Sequence, residues 1–337
     1  MANLSVTYLG IPLKNPIIAG ASNLVNNPET IKLIEESGAG AMVYKSLFEE
    51  QIQLESIQFQ DELELYNERN AEMITLFPEM EHAGPKEHLT KLREARSLIS
   101  IPLIASLNCI FAETWVEYAE LLAETGVDAL ELNFFAVPRD GTTTAQSIED
   151  EQVRIVEAVA KKVAIPISVK LSPFYTNPLQ VINRMAKAGA KGFILFNRLF
   201  EPDINLDSLK HSTPFNLSAP GDYKLSLRYA GMLYNTINAD VCASTGIYSG
   251  HDVARLLLAG AGAVQTVSAL YKFKPAIIKN MLSELETFMH THNYENIDDF
   301  RGLLSRDKVK DPYIYKRAQY IDLLLHSEKI FKKYPLI

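Results

Sequence analysis

Hydrophobic and polar residues along the chain recur in one pattern. An amphipathic helical segment ends in a small residue and glycine, and a short apolar segment that ends in a polar residue follows at once. The pattern occurs four times, at residues 36–45, 124–133, 187–197 and 258–267. Glycine directly after a helix is typical of a left-handed helix cap, so each occurrence predicts a helix followed by a strand. The four predicted caps are Gly38, Gly126, Gly189 and Gly260.

Four more apolar segments lie between these units, at residues 16–20, 102–108, 166–171 and 240–245. All eight segments are rich in Val, Ile, Leu or Ala without strict alternation, as is typical of parallel strands covered by helices. Eight alternating βα units predict an α/β fold of the TIM (β/α)₈ barrel type. A doubly wound open sheet is the alternative, because periodicity does not show closure. The first strand lacks the GxGxxG motif of a dinucleotide site.

Two segments extend a minimal barrel. Residues 47–85, after the second strand, are largely polar and too long for a bare connection, so we expect a long loop that lies over the barrel mouth as a lid. The chain beyond the eighth strand carries two helical patterns, and no Gly/Ser-rich linker precedes them. The predicted organisation is one domain over residues 1–337, with the barrel at about 9–271 and a helical extension at 272–337.

Composition and charge exclude several classes of binding partner. A net charge of −8 without clustered Lys and Arg argues against a nucleic-acid surface. The amino terminus lacks a signal pattern, and no segment approaches the roughly 20 apolar residues that cross a bilayer, so a cytoplasmic protein without a membrane partner is expected. Cys109 and Cys242 lie in apolar segments and are expected to be buried thiols. The histidines show no ligand spacing, so no metal is expected.

The predicted strand ends are polar, and in a TIM barrel these ends meet on the face that carries the active site. Lys45 and Lys170 end the second and fifth strands. A lysine directed into a barrel mouth is held by an anion or an electron-rich ring, although each could instead extend into solvent. Strand-end asparagines, at positions 108, 133 and 197, offer donors and acceptors for the edge of a flat heterocycle. The combination predicts a small-molecule site.

The last two βα units predict a phosphate site. In TIM barrels phosphate commonly binds after strands seven and eight, where loop amides and a helix amino terminus point at it. Thr245 and Gly246 allow close approach of the backbone after the seventh strand. Ser249 or Asp252 is expected to cap the helix that follows.

These residues fall within motifs that resemble the dihydroorotate dehydrogenases, and especially their soluble, FMN-dependent branch. The similarity runs from about Leu9 to Tyr271. Its motifs are LGIPLKNPIIAGAS, VYKS, DALELN, IPISVKLSP, FN and STGIYSGHDVARLLLAGAGAVQTVSALY. The resemblance implies a flavoprotein oxidoreductase of pyrimidine biosynthesis, which oxidises dihydroorotate to orotate, or a related cyclic substrate, by hydride transfer to flavin.

The resemblance also implies roles for individual residues. The isoalloxazine ring of FMN would lie against Ala19, Gly20, Ala21, Lys45, Ser46, Asn133 and Lys170. The ribityl phosphate would lie against Ser218, Thr245, Gly246, Val267 and Ser268. Substrate would stack on the ring and contact Lys45, Asn133 and Asn197. Lys45, Asn133 and Lys170 are the catalytic candidates, because the ammonium of Lys170 near N1 would stabilise charge that develops on the ring.

The sequence departs from the family pattern at the position of the catalytic base. Soluble members continue after the fourth strand as Asn-x-Ser-Cys-Pro-Asn, in which Cys removes the substrate proton. Here the corresponding position is Ala136, which cannot accept a proton, and residues 70–81 stand where the family has its substrate loop. Candidates for a relocated base are Ser46, Thr142, Thr143, Thr144, Tyr175 and Glu79.

Phe134 and Phe135 follow Asn133 and leave two alternatives open: they shape the pocket for a different substrate, or one packs in the core while the other covers the rim.

The sequence leaves three hypotheses for the function of the protein. The first is dihydroorotate oxidation; the second is an FMN protein with another substrate or an electron-transfer role; the third is a non-catalytic relative. The family suggests a homodimer, and the sequence leaves the electron acceptor undetermined.

Overall fold

The computed structural model describes residues 2–50, 85–135, 141–198, 202–212, 216–316, 318–326 and 328–333. The strands in these ranges are β1 Val6–Tyr8, β2 Ile11–Leu13, β3 Ile17–Ala19, β4 Ala41–Phe48, β5 Leu103–Asn108, β6 Ala129–Asn133, β7 Ile167–Leu171, β8 Gly192–Leu195, β9 Asp203–Asn205, β10 Lys210–Ser212, β11 Asp240–Ser244 and β12 Ala263–Thr266. Eight of them form a closed parallel barrel in the order β11, β12, β3, β4, β5, β6, β7, β8. The predicted TIM barrel is confirmed, and the open sheet is excluded.

The helices in the described ranges are α1 Pro28–Glu36, α2 Lys86–Leu98, α3 Ala112–Ala123, α4 Ala145–Lys162, α5 Pro178–Lys187, α6 Lys224–Leu233, α7 Gly250–Ala259, α8 Ser268–Phe273, α9 Ile277–Thr291, α10 Ala318–Leu325 and α11 Glu328–Lys333. Helices α1 to α7 connect the barrel strands, and α8 to α11 follow the last strand, β12. The four predicted cap glycines all have positive φ, between 84° and 124°. Ser249 and Asp252 form a capping box at the start of α7, as the sequence predicted.

The barrel wall is buried on both faces. β5, β6, β7, β8 and β12 are buried at every residue. Apolar side chains on the outer face pack against the helices, which explains why the strand sequences lack simple alternation. Cys109 and Cys242 are buried free thiols, as expected, and burial raises the pKa of each thiol.

A short amino-terminal hairpin of β1 and β2 packs at the amino end of the barrel. Its turn places Leu9 and Gly10 at φ 57° and 78°. Tyr8 is 1% exposed. A Cβ on Gly192, the first residue of β8, would lie 2.5 Å from Leu9 Cδ2 and 3.4 Å from the Tyr8 hydroxyl. The absence of a side chain at Gly192 therefore makes room for the hairpin.

The chain after the barrel is helical, as predicted. Helix α9 packs closely on α7, because a Cβ on Gly250, the first residue of α7, would lie 2.2 Å from the carbonyl oxygen of Met281 in α9. The second predicted helical segment, residues 313–331, is divided in the structure into a 3₁₀ turn, Pro312–Tyr315, and the helices α10 and α11. Of the helices described, none is both long enough and apolar enough to cross a bilayer. Most of the predicted lid, residues 51–84, lies outside the described residues. That residues 1–337 form one domain remains a prediction.

Candidate active site

A cavity of about 500 Å³ opens at the carboxyl ends of the barrel strands. This mouth cavity is lined by residues of β4, β5, β6, β7, β11 and β12 and of the loops that follow β3, β8, β11 and β12. Of the residues predicted for the site, it is lined by Ala21, Lys45, Ser46, Asn133, Lys170, Asn197, Ser218, Thr245, Gly246, Val267 and Ser268. Barrel closure thus brings together residues that are up to 247 positions apart, from Ala21 to Ser268.

Ala19 and Gly20 do not line the mouth cavity, although the resemblance placed both beside the flavin ring. Ala19 is buried in β3 at 1% exposure. A Cβ on Gly20 would lie 2.7 Å from Val267 Cγ2 and 3.2 Å from Gln265 Oε1. Gly20 therefore permits close contact between the ends of β3 and β12, and it supports the cavity wall indirectly.

An irregularity in β4 explains how two consecutive residues face the cavity. Side chains alternate along a regular strand, so Lys45 and Ser46 would point to opposite sides. The pairing of β4 with β5 shifts in register between Tyr44 and Leu47. Such a bulge changes side-chain direction, and bulges are common beside active sites. Both Lys45 and Ser46 consequently line the mouth cavity.

Lys170 belongs to a buried polar network. Its side chain is 9% exposed, and its Nζ lies 3.7 Å from Glu131 Oε1. Glu131 is 0% exposed, and Gln265 Nε2 donates to its Oε2 at 2.6 Å. Ser106 Oγ donates to Glu131 Oε1 at 3.4 Å, and Ser106 and Ser46 hydroxyls are 2.7 Å apart. Lys170 is therefore held inside the barrel mouth and does not extend into solvent.

Gln265 presents a buried acceptor beside this network. Because its Nε2 donates to a carboxylate, its Oε1 faces away from Glu131. This Oε1 is buried and has no hydrogen-bond partner within the described residues. An unpartnered buried amide oxygen is costly in a protein interior. Gln265 lines the mouth cavity, so a ligand that carries an N–H donor would satisfy it.

Two asparagines on either side of β7 bind one another, since Asn133 ends β6 and Asn197 follows β8. Asn197 Nδ2 donates to Asn133 Oδ1 at 3.0 Å. Asn133 is 8% exposed, and both side chains line the mouth cavity. The bond fixes the orientation of both amides, because the Asn133 oxygen must face the Asn197 nitrogen. Their remaining donors and acceptors are positioned for the edge of a flat ligand.

The predicted phosphate residues form a connected set of loops. Thr245 and Gly246 both have positive φ, 76° and 71°. Gly246 N donates to Ser218 Oγ at 3.1 Å, and Ser218 N donates to Ser268 Oγ at 3.0 Å. Thr245 Oγ1 donates to the Phe196 carbonyl oxygen at 3.0 Å. The loops after β8, β11 and β12 thus meet at one side of the mouth cavity.

Arg198 orders the loop that carries Ser218. Its Nη1 lies 3.0 Å from Asp222 Oδ2, and its Nε donates to the Asn216 carbonyl oxygen at 2.9 Å. Asp222 Oδ2 also accepts from Ala219 N at 2.9 Å. The guanidinium therefore braces residues on both sides of Ser218. Its charge is largely compensated by Asp222.

The two phenylalanines after β6 have different environments. Phe134 is 3% exposed and packs on Trp115, with ring centroids 4.9 Å apart. Phe135 is 44% exposed and lines the mouth cavity. Phe134 therefore packs in the core, as one alternative expected, whereas Phe135 is placed where it contributes to the shape of the pocket.

The structure removes several candidates for a relocated base. The Tyr175 hydroxyl donates to Gln152 Oε1 at 2.7 Å, burial raises its pKa, and Tyr175 does not line the mouth cavity. Thr144 caps α4 by accepting from Ser147 N. Thr142 and Thr143 are exposed and lie outside the cavity lining. Ser46 does line it. Ala136 and Glu79 lie outside the described residues.

Sequence reasoning missed several contributors to the site. Glu131 carried an available signal: a charged residue in an apolar strand, two positions before Asn133, shares the inward-facing side of β6. Gln265 carried a signal too, as a polar residue at the end of the eighth strand, whereas Ser106 is recognisable only through its contacts with Glu131 and Ser46. Phe48, which also lines the cavity, depends on the irregularity in β4. No group of His, Cys, Asp or Glu within the described ranges is arranged to hold a metal ion.

Comparisons with known proteins place this geometry in a family. The family model of dihydroorotate dehydrogenase matches residues 64–289. The catalytic subunit of dihydroorotate dehydrogenase B (NAD⁺) from Thermoplasma volcanium is 29% identical over 313 residues, which cover 90% of this chain and 99% of the relative. The corresponding subunit from Thermoplasma acidophilum is 26% identical over 91% of this chain and 100% of the relative.

A relative with a different substrate is almost as similar. Chloroplastic dihydropyrimidine dehydrogenase (NADP⁺) from Arabidopsis thaliana is 25% identical over 333 residues, which cover 89% of this chain and 76% of the relative. Relatives named for different pyrimidine substrates thus align at similar identity. The comparisons establish an oxidoreductase family whose members are named for more than one substrate.

Proposed function

The chain belongs to the dihydroorotate dehydrogenase family, and we propose that it is an FMN-dependent oxidoreductase that oxidises dihydroorotate, or a related cyclic substrate, at a CH–CH bond. The observation that carries this proposal is the presence of two lysines, Lys45 and Lys170, with three strand-end asparagines, in one cavity at a barrel mouth. Ammonium and amide groups at this position suit a flat, electron-rich ring with polar edges. The volume of the mouth cavity, about 500 Å³, is within the usual range of small-molecule sites.

The residues present fit FMN. The unpartnered Oε1 of Gln265 offers an acceptor to a ring N–H, and Gly20 keeps β3 and β12 close enough to form a flat wall. The loops that carry Ser218 and Ser268 would hold the ribityl phosphate through these two hydroxyls, because each oxygen accepts from a backbone amide and its hydrogen remains to be donated. Bound FMN would supply the hydride acceptor. Ala19 and Gly20 would support the ring from behind the cavity wall.

The chain's own groups would bind and orient the substrate. Lys45 would attract an anionic substrate, and Asn133 with Asn197 would fix its ring edge. Lys170 would stabilise negative charge that develops at the adjacent edge of the flavin, because its ammonium is preorganised by Glu131. Ala136 occupies the family's base position, so we expect dihydroorotate oxidation to be slowed by about 10²- to 10⁴-fold relative to members with a base.

Absorption spectroscopy of the purified protein tests the proposal. We expect the oxidised flavin spectrum after incubation with FMN, and anaerobic addition of dihydroorotate should bleach it slowly. Lys170→Ala should slow bleaching at least tenfold, because one preorganised cation is removed. Lys191→Ala, at the opposite end of the barrel, is the matched control and should behave like the wild type. A colourless protein whose melting temperature FMN leaves unchanged would contradict the proposal and favour a non-catalytic relative.

The alternative of an FMN protein with another substrate is favoured by one observation. Phe135 is exposed within the mouth cavity, where it increases the apolar surface available to the substrate. Flavin that binds but is not bleached by dihydroorotate would support this alternative. Homodimer formation and the identity of the electron acceptor stay predictions from the family.

A further inference from the structure

We infer that the mouth cavity selects a cyclic carboxylate whose oxidised form is a planar aromatic ring with apolar edges, in preference to the fully polar ring of dihydroorotate or orotate. This inference rests on the proposed function and specifies its substrate class. It depends on three side chains, Phe48, Phe135 and Lys45, all of which line the mouth cavity.

The two phenylalanines lie on either side of one strand end. Phe48 ends β4 and is the register partner of Asn108, which ends β5. Phe135 follows β6, the next strand around the barrel. Phe48 is 39% exposed and Phe135 is 44% exposed, whereas Asn108 between them is 6% exposed. This part of the cavity therefore has a buried amide flanked by two accessible aromatic rings.

Exposed aromatic rings within a cavity favour apolar contact. Covering a phenylalanine removes a large apolar surface from water, and aromatic rings add a stacking contribution beyond the area buried. A pyrimidine that carries polar groups around its whole edge would leave both rings without matching apolar surface. A larger aromatic ring would offer apolar surface to both.

Charge in the cavity specifies the carboxylate. Lys170 is paired with the buried carboxylate of Glu131. Lys45 makes no ion pair with a carboxylate in the part of the chain that the structure describes. It stands three residues before Phe48 on the same strand, so one ligand can place its anionic group at Lys45 and its ring at Phe48. Of the two lysines that line the mouth cavity, Lys45 is therefore the one without a described carboxylate within ion-pair distance.

Other exposed phenylalanines provide a comparison. Phe174 is 74% exposed and follows β7, the neighbouring strand, but it does not line the mouth cavity. Exposure alone is common on protein surfaces and carries no functional meaning. Position within the cavity beside Lys45 distinguishes Phe48 and Phe135, and it makes Phe174 a matched control.

Ligand titration of the FMN-loaded protein tests the inference. The probes are 2-naphthoate, an aromatic carboxylate, and orotate, a polar carboxylate, and binding is followed by calorimetry and by perturbation of the flavin spectrum. We expect 2-naphthoate to bind at least tenfold more tightly than orotate. Phe135→Ser should weaken 2-naphthoate at least tenfold and change orotate affinity less than threefold. Phe174→Ser should leave both affinities unchanged, and circular dichroism verifies that both variants fold.

The outcomes separate this inference from the proposed function. A protein that takes up FMN but binds orotate more tightly than 2-naphthoate overturns the substrate class and leaves the flavoprotein proposal intact. Equal effects of Phe135→Ser and Phe174→Ser also overturn it, because the cavity position would then be irrelevant. A protein that takes up no FMN contradicts the proposed function, and the inference that rests on it is then rejected as well.

Discussion

Glu131 and Lys170 form an ion pair within the barrel, with 3.7 Å between Oε1 and Nζ, on strands β6 and β7. Glu131 is 0% exposed, and Gln265 and Ser106 also donate to it. These donors compensate for the removal of the carboxylate from water. The pair therefore holds a cation at the mouth cavity while it keeps the barrel interior close to neutral.

Glu131→Gln should destabilise the protein because it leaves the Lys170 ammonium without its counter-charge. Removal of one partner from a buried pair typically lowers the free energy of unfolding by about 3 kcal/mol. Urea denaturation at neutral pH measures the change. Combination with Lys170→Met should restore much of the loss, since no isolated charge remains. A double variant that loses the sum of both single effects would show that the two groups are not energetically coupled.

Gly20→Ala should weaken FMN binding by about tenfold, because the added Cβ would lie 2.7 Å from Val267 Cγ2 and push apart the ends of β3 and β12. Fluorescence titration with FMN measures the affinity. Val267→Ala in the same chain should restore part of it. Gly141→Ala is the control, since a Cβ there has no neighbour within 4 Å. Affinities within twofold of the wild type for Gly20→Ala would rule out this role.

Gly192→Ala should lower the free energy of unfolding by about 2 kcal/mol, the usual cost of overpacking. The new Cβ would lie 2.5 Å from Leu9 Cδ2 and displace the amino-terminal hairpin. Thermal and urea unfolding measure this change. Leu9→Ala should partly relieve the contact, so the double variant is expected to be more stable than the sum of its single effects predicts. Strict additivity would mean that the hairpin does not pack against β8 in this way.

His88 should make stability depend on pH in the acidic range. Burial, with smaller contributions from Lys45 and Lys91, lowers the pKa of His88 from 6.5 to about 4. The unfolded chain takes up this proton below about pH 6.5 and the folded chain only near pH 4. The free energy of unfolding therefore falls as pH drops through this window, by about 2 kcal/mol once partial exposure of the ring is allowed for.

The substitution His88→Gln tests this dependence. Urea unfolding of wild type and variant is compared between pH 4 and pH 7, so that contributions from other groups cancel. We expect the wild type to lose about 2 kcal/mol more than the variant over this range. Parallel curves would show that the imidazole titrates alike in folded and unfolded protein.

The sequence by itself determined the barrel and much of its mouth. Four helices, α1, α3, α5 and α7, are each followed within three residues by a glycine with positive φ and then by an apolar barrel strand, and these local rules depend only on neighbouring residues. Polar residues at strand ends were sufficient to indicate Lys45, Lys170 and Asn133. Parallel strands of a closed barrel present their carboxyl ends on one face, so the same pattern predicted one site.

Only the tertiary structure decided which charges are paired and which surfaces a ligand meets. Glu131 and Gln265 are 134 positions apart and share a hydrogen bond only because β6 and β12 face one another across the barrel interior. The irregularity in β4 turned both Lys45 and Ser46 into the cavity against strand alternation. Side-chain direction and long-range contact follow from strand register and closure, and residue type along the chain does not encode either one locally.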